Sequence, residues 1–317
     1  MDALAGLLDG PRARGAFLLR AVMAPPWSVL VQDRAPLAAV ALVAGEAWIR
    51  RTGEPDRRLG PGDVALLRGP APYVFADEPD RPPQVVIHPG QRCTTPHGDD
   101  VAAPMDIGVR TWGNDPTGPV TMLIGAYEEA GEVAEPVLRA LPPTAVLRAG
   151  TWRDDISALL AAEIGRNDPA QEVVLDRLLD LLVIAAVRAW FARDDVEPPT
   201  PFRAAHDPVV GRALALLDQH LDAPWTVASL ASEVGLSRAA LARRFTALVG
   251  EPPMAYLTGR RLAMAADLLR RPDTTVAAVA DRVGYGSPFA LSAAFRRERG
   301  VTPTEHRARH RTPAPSA

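Results

Sequence analysis

Lysine is missing from this chain: all 35 basic residues are arginine. With abundant Ala, Pro and Gly, that bias points to a GC-rich coding sequence and says nothing of mechanism. Cysteine is nearly missing too. Cys93 stands alone, which excludes an intrachain disulfide and makes a reducing cytoplasm the default compartment. The opening MDALAGLLDG carries Asp2 and Asp9 and no basic segment, which argues against a secretory signal peptide. Long apolar runs are lacking as well. The most apolar stretch, Val173–Phe191, is broken by Asp176, Arg177, Asp180 and Arg188 and makes a poor membrane span.

What is present is enough chain for several domains: 317 residues, 47% hydrophobic. The charge is uneven. Residues 209–317 hold 15 arginines and 9 acidic residues, a net of +6, whereas residues 1–208 carry a net of −9. The C-terminal part is therefore the one suited to phosphates.

That part contains a repeat. TVASLASEVGLSRAALARRF, from Thr226, returns 49 residues later as TVAAVADRVGYGSPFALSAAF, from Thr275. Thr226 and Thr275 suit helix N-caps, and Val227, Leu230, Ala231 and Val234 fall on one helical face, as do Val276, Val279, Ala280 and Val283. Gly235 and Gly284 supply the left-handed turn into a second helix. One inserted residue shifts the offset to 50 beyond the turn, so that Ser237 matches Ser287, Leu241 matches Leu291 and Phe245 matches Phe295. The two serines read as N-caps of the second helix, with Pro288 at a favoured first position. The Leu/Phe pairs, four residues apart, anchor that helix to a core.

Two helix-turn-helix units joined by a helix from about Met254 to Arg271 resemble the AraC/XylS family of bacterial transcription regulators, over residues 208–308. The resemblance implies double-stranded promoter or operator DNA as partner, frequent contact with RNA polymerase, activation more often than repression, and homodimers. Within the first unit, the side opposite Leu241 and Phe245 carries Arg238, Ala239, Ala242, Arg243 and Thr246, which are expected to face the major groove. Arg243 is the first choice for base reading, because a guanidinium can bind guanine O6 and N7 together. Arg238 and Arg244 serve equally well on phosphates. The corresponding face of the second unit carries Pro288, Phe289, Ser292, Ala293 and Arg296, with Arg297 beside it. Arg238 and Arg243 have no basic counterparts there. The first unit is thus expected to read, and the second to hold through Ser292, apolar contact by Phe289, and phosphate clamping by Arg296 and Arg297.

Upstream, six short apolar runs between Phe17 and Tyr127 (FLLRAVM, WSVLVQD, LAAVALVAG, DVALLRG, QVVIHPG, TMLIGAY) are separated by Pro and Gly turns, as in a small antiparallel β-domain. The Pro-Gly-Asp turn in LGPGDVALLRGPAPYVF, with APPWSV, APLAAVALVAGEAWI, RTWGNDP and LRALPPTAVL, resembles the cupin sensor domain of some AraC-type regulators. After Glu128 the pattern becomes helical, with Glu135–Leu141, Trp152–Ile164 and Gln171–Arg193 as candidates. In the last of these, Leu175, Leu178, Leu179, Leu182, Ala186 and Trp190 form an apolar stripe suited to self-association or to packing within the domain.

The organisation expected is α+β and multidomain. A cupin-like antiparallel β-barrel occupies 1–130 and senses an effector. Helical dimerisation or packing elements occupy 131–193, a Pro-rich linker 194–208, an all-α double helix-turn-helix 209–308 and a disordered tail 309–317. The protein is expected in the bacterial cytoplasm, on the nucleoid, with no catalytic residues, cofactor or metal. Phe17, Trp27, Trp48, Tyr73, Phe75, Trp112 and Tyr127 are candidates for lining an effector cavity, or for plain core.

His88, Cys93 and His97 fall in HPGQRCTTPH. They read as a plain loop, a redox-sensitive thiol or three zinc ligands without a fourth. The His-x-His pair with a following Glu and later His of metal-binding cupins is missing. His306 and His310 lack the Glu of a zinc-peptidase helix. Two alternatives stay open: a cupin metalloenzyme fused to a DNA-binding domain, and a constitutive DNA-binding protein without an effector.

Overall fold

The computed structural model describes residues 17–127, 135–152, 155–271 and 274–309. The expected tail and the N-terminal segment MDALAGLLDG therefore lie outside the described residues, apart from Arg309. Among the described residues the chain forms two compact units: one, built on strands, holds residues 17–127 and 138–197, and the other takes in residues 135–137 and the helices from Pro198 onward.

The strand-rich unit begins with β1 (Phe17–Met23), β2 (Ser28–Val31), β3 (Leu37–Ala44), β4 (Ala47–Arg50), β5 (Arg57–Leu59), β6 (Val64–Arg68) and β7 (Tyr73–Ala76). It continues through β8 (Val85–Ile87), β9 (Cys93–Thr94), a single turn α1 (Ala102–Met105), β10 (Asp106–Gly108), β11 (Thr111–Gly113) and β12 (Val120–Tyr127). Helix α2 (Glu135–Ala140), β13 (Thr144–Leu147), α3 (Asp155–Ile164) and α4 (Gln171–Phe191) follow. Among the described residues one sheet has the order β10-β11-β1-β12-β3-β6-β13 and the other β5-β4-β7-β2-β8-β9.

All six apolar runs form strands, because alternation places one set of side chains between the sheets. Ala21 and Met23 of β1, Ala38, Val40 and Leu42 of β3, and Met122 and Ala126 of β12 share one core cluster. Two features differ from an antiparallel domain. The pairings β1/β11 and β2/β8 are parallel, since each joins strands separated by a long stretch of chain rather than by a hairpin. The sheet also resumes after Glu128: β13 pairs antiparallel with β6, Thr144 opposite Leu67, so the region that reads as wholly helical supplies an edge strand.

Strand β3 is buried on both faces from Leu37 to Leu42 because helices cover the outer side of its sheet. Helix α4 turns Leu175, Leu179, Leu182, Val183, Ala186, Val187 and Phe191 inward, and leaves Leu178 and Trp190 half-buried. Its fit is close at Gly125 of β12, where an added Cβ would stand 2.4 Å from Leu179 Cδ1. Beside it the Tyr127 hydroxyl donates to Asp180 Oδ1 at 3.3 Å in a buried position. Burial and the Asp180 carboxylate both push the Tyr127 phenol up, so it stays a donor.

The Pro-Gly-Asp turn ties the unit together. Asp63 Oδ2 accepts from the Gly60 amide at 2.9 Å and from Arg148 at 2.6 Å, and Oδ1 accepts from the Ala149 amide at 2.9 Å. Burial alone would raise this carboxyl; the two amides and the Arg148 guanidinium outweigh it and hold it below the usual range. A depressed folded-state value contributes stability above the unfolded value, lost as pH falls through the folded one. Asp63→Asn should therefore lower stability at neutral pH by about 1–3 kcal/mol. In urea titrations the gap from wild type should close as the solution is acidified below the usual carboxylate range; a gap unchanged at low pH would contradict this.

The helical unit contains α5 (Thr200–Ala205), α6 (Val210–Gln219), α7 (Val227–Glu233), α8 (Arg238–Val249), α9 (Pro253–Leu269), α10 (Val276–Arg282), α11 (Pro288–Arg299) and α12 (Pro303–Arg309). Part of the expected linker is folded: α5 buries Phe202 and Ala204 against the first helix-turn-helix core. Proline and charge in that stretch mask one apolar turn. No helix among the described residues is long and apolar enough to cross a membrane.

Candidate nucleic-acid interface

Each recognition unit is assembled by local rules. Thr226 Oγ1 accepts from the Ser229 amide at 3.0 Å while Ser229 returns the bond, a capping box at the start of α7. Thr275, Ser237 and Ser287 cap α10, α8 and α11 through the amides of Ala278, Ala240 and Ala290, at 3.1, 3.2 and 3.1 Å. Thr226, Thr275, Ser237 and Ser287 are candidates for DNA contact on the sequence as well as caps, and in the structure their hydroxyls are engaged in capping and orient the helices.

Gly235 and Gly284 turn with φ of 70° and 75°. Space around Gly235 is open, whereas a Cβ at Gly284 would lie 2.7 Å from the Asp222 backbone. Leu241 and Phe245 are fully buried in one core, Leu291 and Phe295 in another.

The opposite faces are open. Arg238, Ala239 and Arg243 are exposed and Ala242 half-buried, and neither arginine forms an ion pair with the described residues. Arg244 differs. Its Nη2 is 2.7 Å from Asp207 Oδ2, and Asp207 also accepts from the amides of Val209 and Val210 at the start of α6. Arg244 therefore braces α8 against the preceding turn.

In the second unit Phe289 is 83% exposed at the start of α11. The Ser292 hydroxyl donates back to the Pro288 carbonyl at 2.8 Å. Arg297 lies 3.0 Å from Glu298, leaving Arg296 as the exposed cation of this face without an ion pair to described residues.

A buried network between residues far apart in the chain supports the first unit. Arg260 Nε donates to Asp218 Oδ1 at 2.8 Å and the Tyr256 hydroxyl donates to Oδ2 at 3.0 Å, with Tyr256 edge-on to Phe245 at 5.8 Å. This joins α9, α6 and α8. Burial raises the Asp218 carboxyl against the pull of Arg260 and Tyr256. One signal was readable: Arg260 falls on the apolar face of α9, four residues after Tyr256, where a charge requires a buried partner.

The histidines and cysteine of HPGQRCTTPH do not converge. His88 is hydrogen-bonded on both ring nitrogens, Nδ1 to Gln32 at 3.2 Å and Nε2 to Thr94 Oγ1 at 2.9 Å. Alternation along β9 turns the neighbouring Cys93 the other way, into the barrel, and His97 is exposed in a turn. Among the described residues no group of three His, Cys, Asp or Glu is placed to hold a metal ion. Burial and then Asp100 push the Cys93 thiol up, away from the reactive thiolate form. Of the seven aromatic candidates Phe17, Trp27, Tyr73, Phe75 and Trp112 line a cavity between the sheets. Trp48 and Tyr127 do not, since Tyr127 faces α4. Helical His306 is buried edge-on to Phe295 at 5.4 Å, and His310 lies outside the described residues.

Residues 2–192 match the family described as Cupin, and residues 230–309 match the helix-turn-helix domain family. A Streptomyces antibioticus protein named as an AraC-like transcription regulator is 30% identical over 97% of this chain and 98% of its own. The chain belongs to the AraC-like transcription regulators. A second such regulator, from Streptomyces lividans, is 30% identical over 88% of this chain and 95% of its own. The transcriptional regulator MtrA of Neisseria gonorrhoeae is 24% identical over 97% of the chain and 98% of its own. This AraC-like regulator is thus a mixed α+β protein with an N-terminal cupin domain and a C-terminal DNA-binding helix-turn-helix domain, and its relatives are regulators of transcription.

Proposed function

We propose that this regulator recognises its operator unequally through its two units, within residues 209–308. The exposed face of α8, with Arg238 and Arg243 held out by the Leu241/Phe245 core, carries that reading. Arg243 takes a base edge and Arg238 a phosphate. Helix α11 holds the adjacent groove, Arg296 on phosphate and Phe289 against a thymine methyl. The protein works in the cytoplasm, catalyses no reaction, needs no cofactor and activates through contact with RNA polymerase.

The N-terminal unit supplies the signal and the pairing. An effector enters the cavity between the sheets. Strand β12 carries its presence outward, because Met122, Ile124 and Ala126 line that cavity while Gly125 and Tyr127 meet Leu179 and Asp180 of α4. The effector acts by binding more tightly to the DNA-competent arrangement.

A second copy of the chain covers the outer face of α3 and α4, where Leu159, Val173, Val174 and Leu181 are exposed at 56%, 58%, 43% and 47%. Glu172 in the first turn of α4 and Arg188 in its last favour an antiparallel pair, each acid meeting the partner's base. Sedimentation of the full chain at micromolar concentration should give a dimer, and Leu181→Arg a monomer of unchanged helical content. A wild-type monomer would remove the pairing.

A further inference from the structure

The cavity between the sheets has a volume of about 180 Å³. That is slightly above the ~150 Å³ of an engineered apolar cavity, in another protein, that admits benzene. One ring with a short substituent fills it. Leu19, Val29, Phe75, Met122 and Ile124 give it hydrocarbon walls, no arginine or histidine lines it, and its charged lining residue is Asp33. A carboxylate or phosphate placed there would lose its water, gain no cation and stand near another anion.

Two indole N–H groups interrupt the hydrocarbon, and Tyr73 and Gln91 add polar groups to the lining. Trp27 is 1% exposed, and its Nε1 has no hydrogen-bond partner among the described residues. Trp112 Nε1 is buried without an oxygen or nitrogen partner, with the Cys93 sulfur, a weak acceptor, nearby. Both residues line the cavity. Trp112 thus has the Cys93 sulfur as its acceptor, whereas Trp27 has none; buried N–H groups are nearly always paired, so the Trp27 donor bordering the cavity calls for an acceptor from whatever fills it. The Cys93 thiol does not supply a competing donor, since it is directed to the Gln91 carbonyl at 3.4 Å.

We infer that the cavity takes a neutral, single-ring molecule, hydrocarbon except for a hydrogen-bond-accepting oxygen such as a ketone or ester carbonyl, which the Trp27 indole N–H binds. The inference rests on reading this cavity as the effector site and adds the chemical class of the occupant. It excludes organic acids of the same size in their ionised form.

Calorimetric titration of the full-length protein with three probes of one shape tests it: acetophenone, ethylbenzene and benzoate. Acetophenone should bind about ten-fold more tightly than either of the others, the worth of one hydrogen bond. Trp27→Phe keeps a six-membered aromatic ring and removes the N–H together with the five-membered ring, so it should weaken acetophenone about ten-fold more than it weakens ethylbenzene, which feels only the change of shape. Ala126→Leu, which fills the space, should abolish binding of both, and circular dichroism checks that each variant is folded. Benzoate binding tightest, ethylbenzene equalling acetophenone in the wild type, or no probe binding at all would overturn the assignment.

Operator affinity measured with and without acetophenone, in wild type and Ala126→Leu, separates the two levels. The expected probe order without any change in operator affinity sinks the effector reading alone. A shift in operator affinity with the probe order reversed sinks the chemical class alone.

Discussion

Arg260→Met is expected to destabilise the helical unit by about 3–5 kcal/mol, the cost of leaving one member of a buried ion pair alone. The stranded group is Asp218, whose side chain is 2% exposed and which α6 turns toward α9. Typical domains are stable by only about 5–15 kcal/mol, so operator binding should fall with the folded fraction on warming. Replacing both partners, Asp218→Leu with Arg260→Met, should recover much of the loss, because a matched apolar pair avoids the desolvation that the ions incur. Tyr256 would then lack its acceptor, which keeps the recovery partial. Urea titration followed by helical circular dichroism measures both variants. A single-variant cost below about 1 kcal/mol would place the pair in solvent rather than in the core.

Arg243→Ala should weaken binding to the cognate operator by about 1–3 kcal/mol, roughly 5- to 150-fold, while hardly changing affinity for a scrambled sequence. A bidentate contact to a base edge is lost only where that base is present. Arg296→Ala should behave oppositely, lowering both affinities alike and reducing the slope of log K against log salt by about 0.9, one phosphate contact. Arg296 is the better probe of clamping than Arg297, which stands 3.0 Å from Glu298. Titrations at several salt concentrations on both sequences decide the assignment. Equal losses on both for Arg243→Ala would make it a phosphate contact.

The readable parts of this molecule were the local ones. Ser237 and Ser287 cap, Gly235 and Gly284 turn, and Leu241, Phe245, Leu291 and Phe295 bury, because each rule acts within about one helical turn. The parts that were not readable depend on residues far apart in the chain. Arg260 meets Asp218 42 positions away and Arg244 meets Asp207 37 away. The parallel β2/β8 pairing and the return of β13 beside β6 likewise follow from sheet closure. Composition marked the acidic N-terminal part as different from the basic C-terminal part, yet could not show which aromatics share a cavity. That follows from strand register, which turns Trp112 inward and Tyr127 toward α4.

On the proposed reading the two helix-turn-helix units contribute unequally, α8 reading sequence and α11 mainly holding. The measurement closest to it is the affinity of the wild-type protein for a set of operators in which every base pair is substituted in turn. Losses of about 1–3 kcal/mol per position are expected to cluster in the major groove under α8, with smaller losses in the groove about one helical turn away under α11, the largest of them at a thymine facing Phe289. Losses of equal size in both grooves, or concentrated under α11, would contradict it.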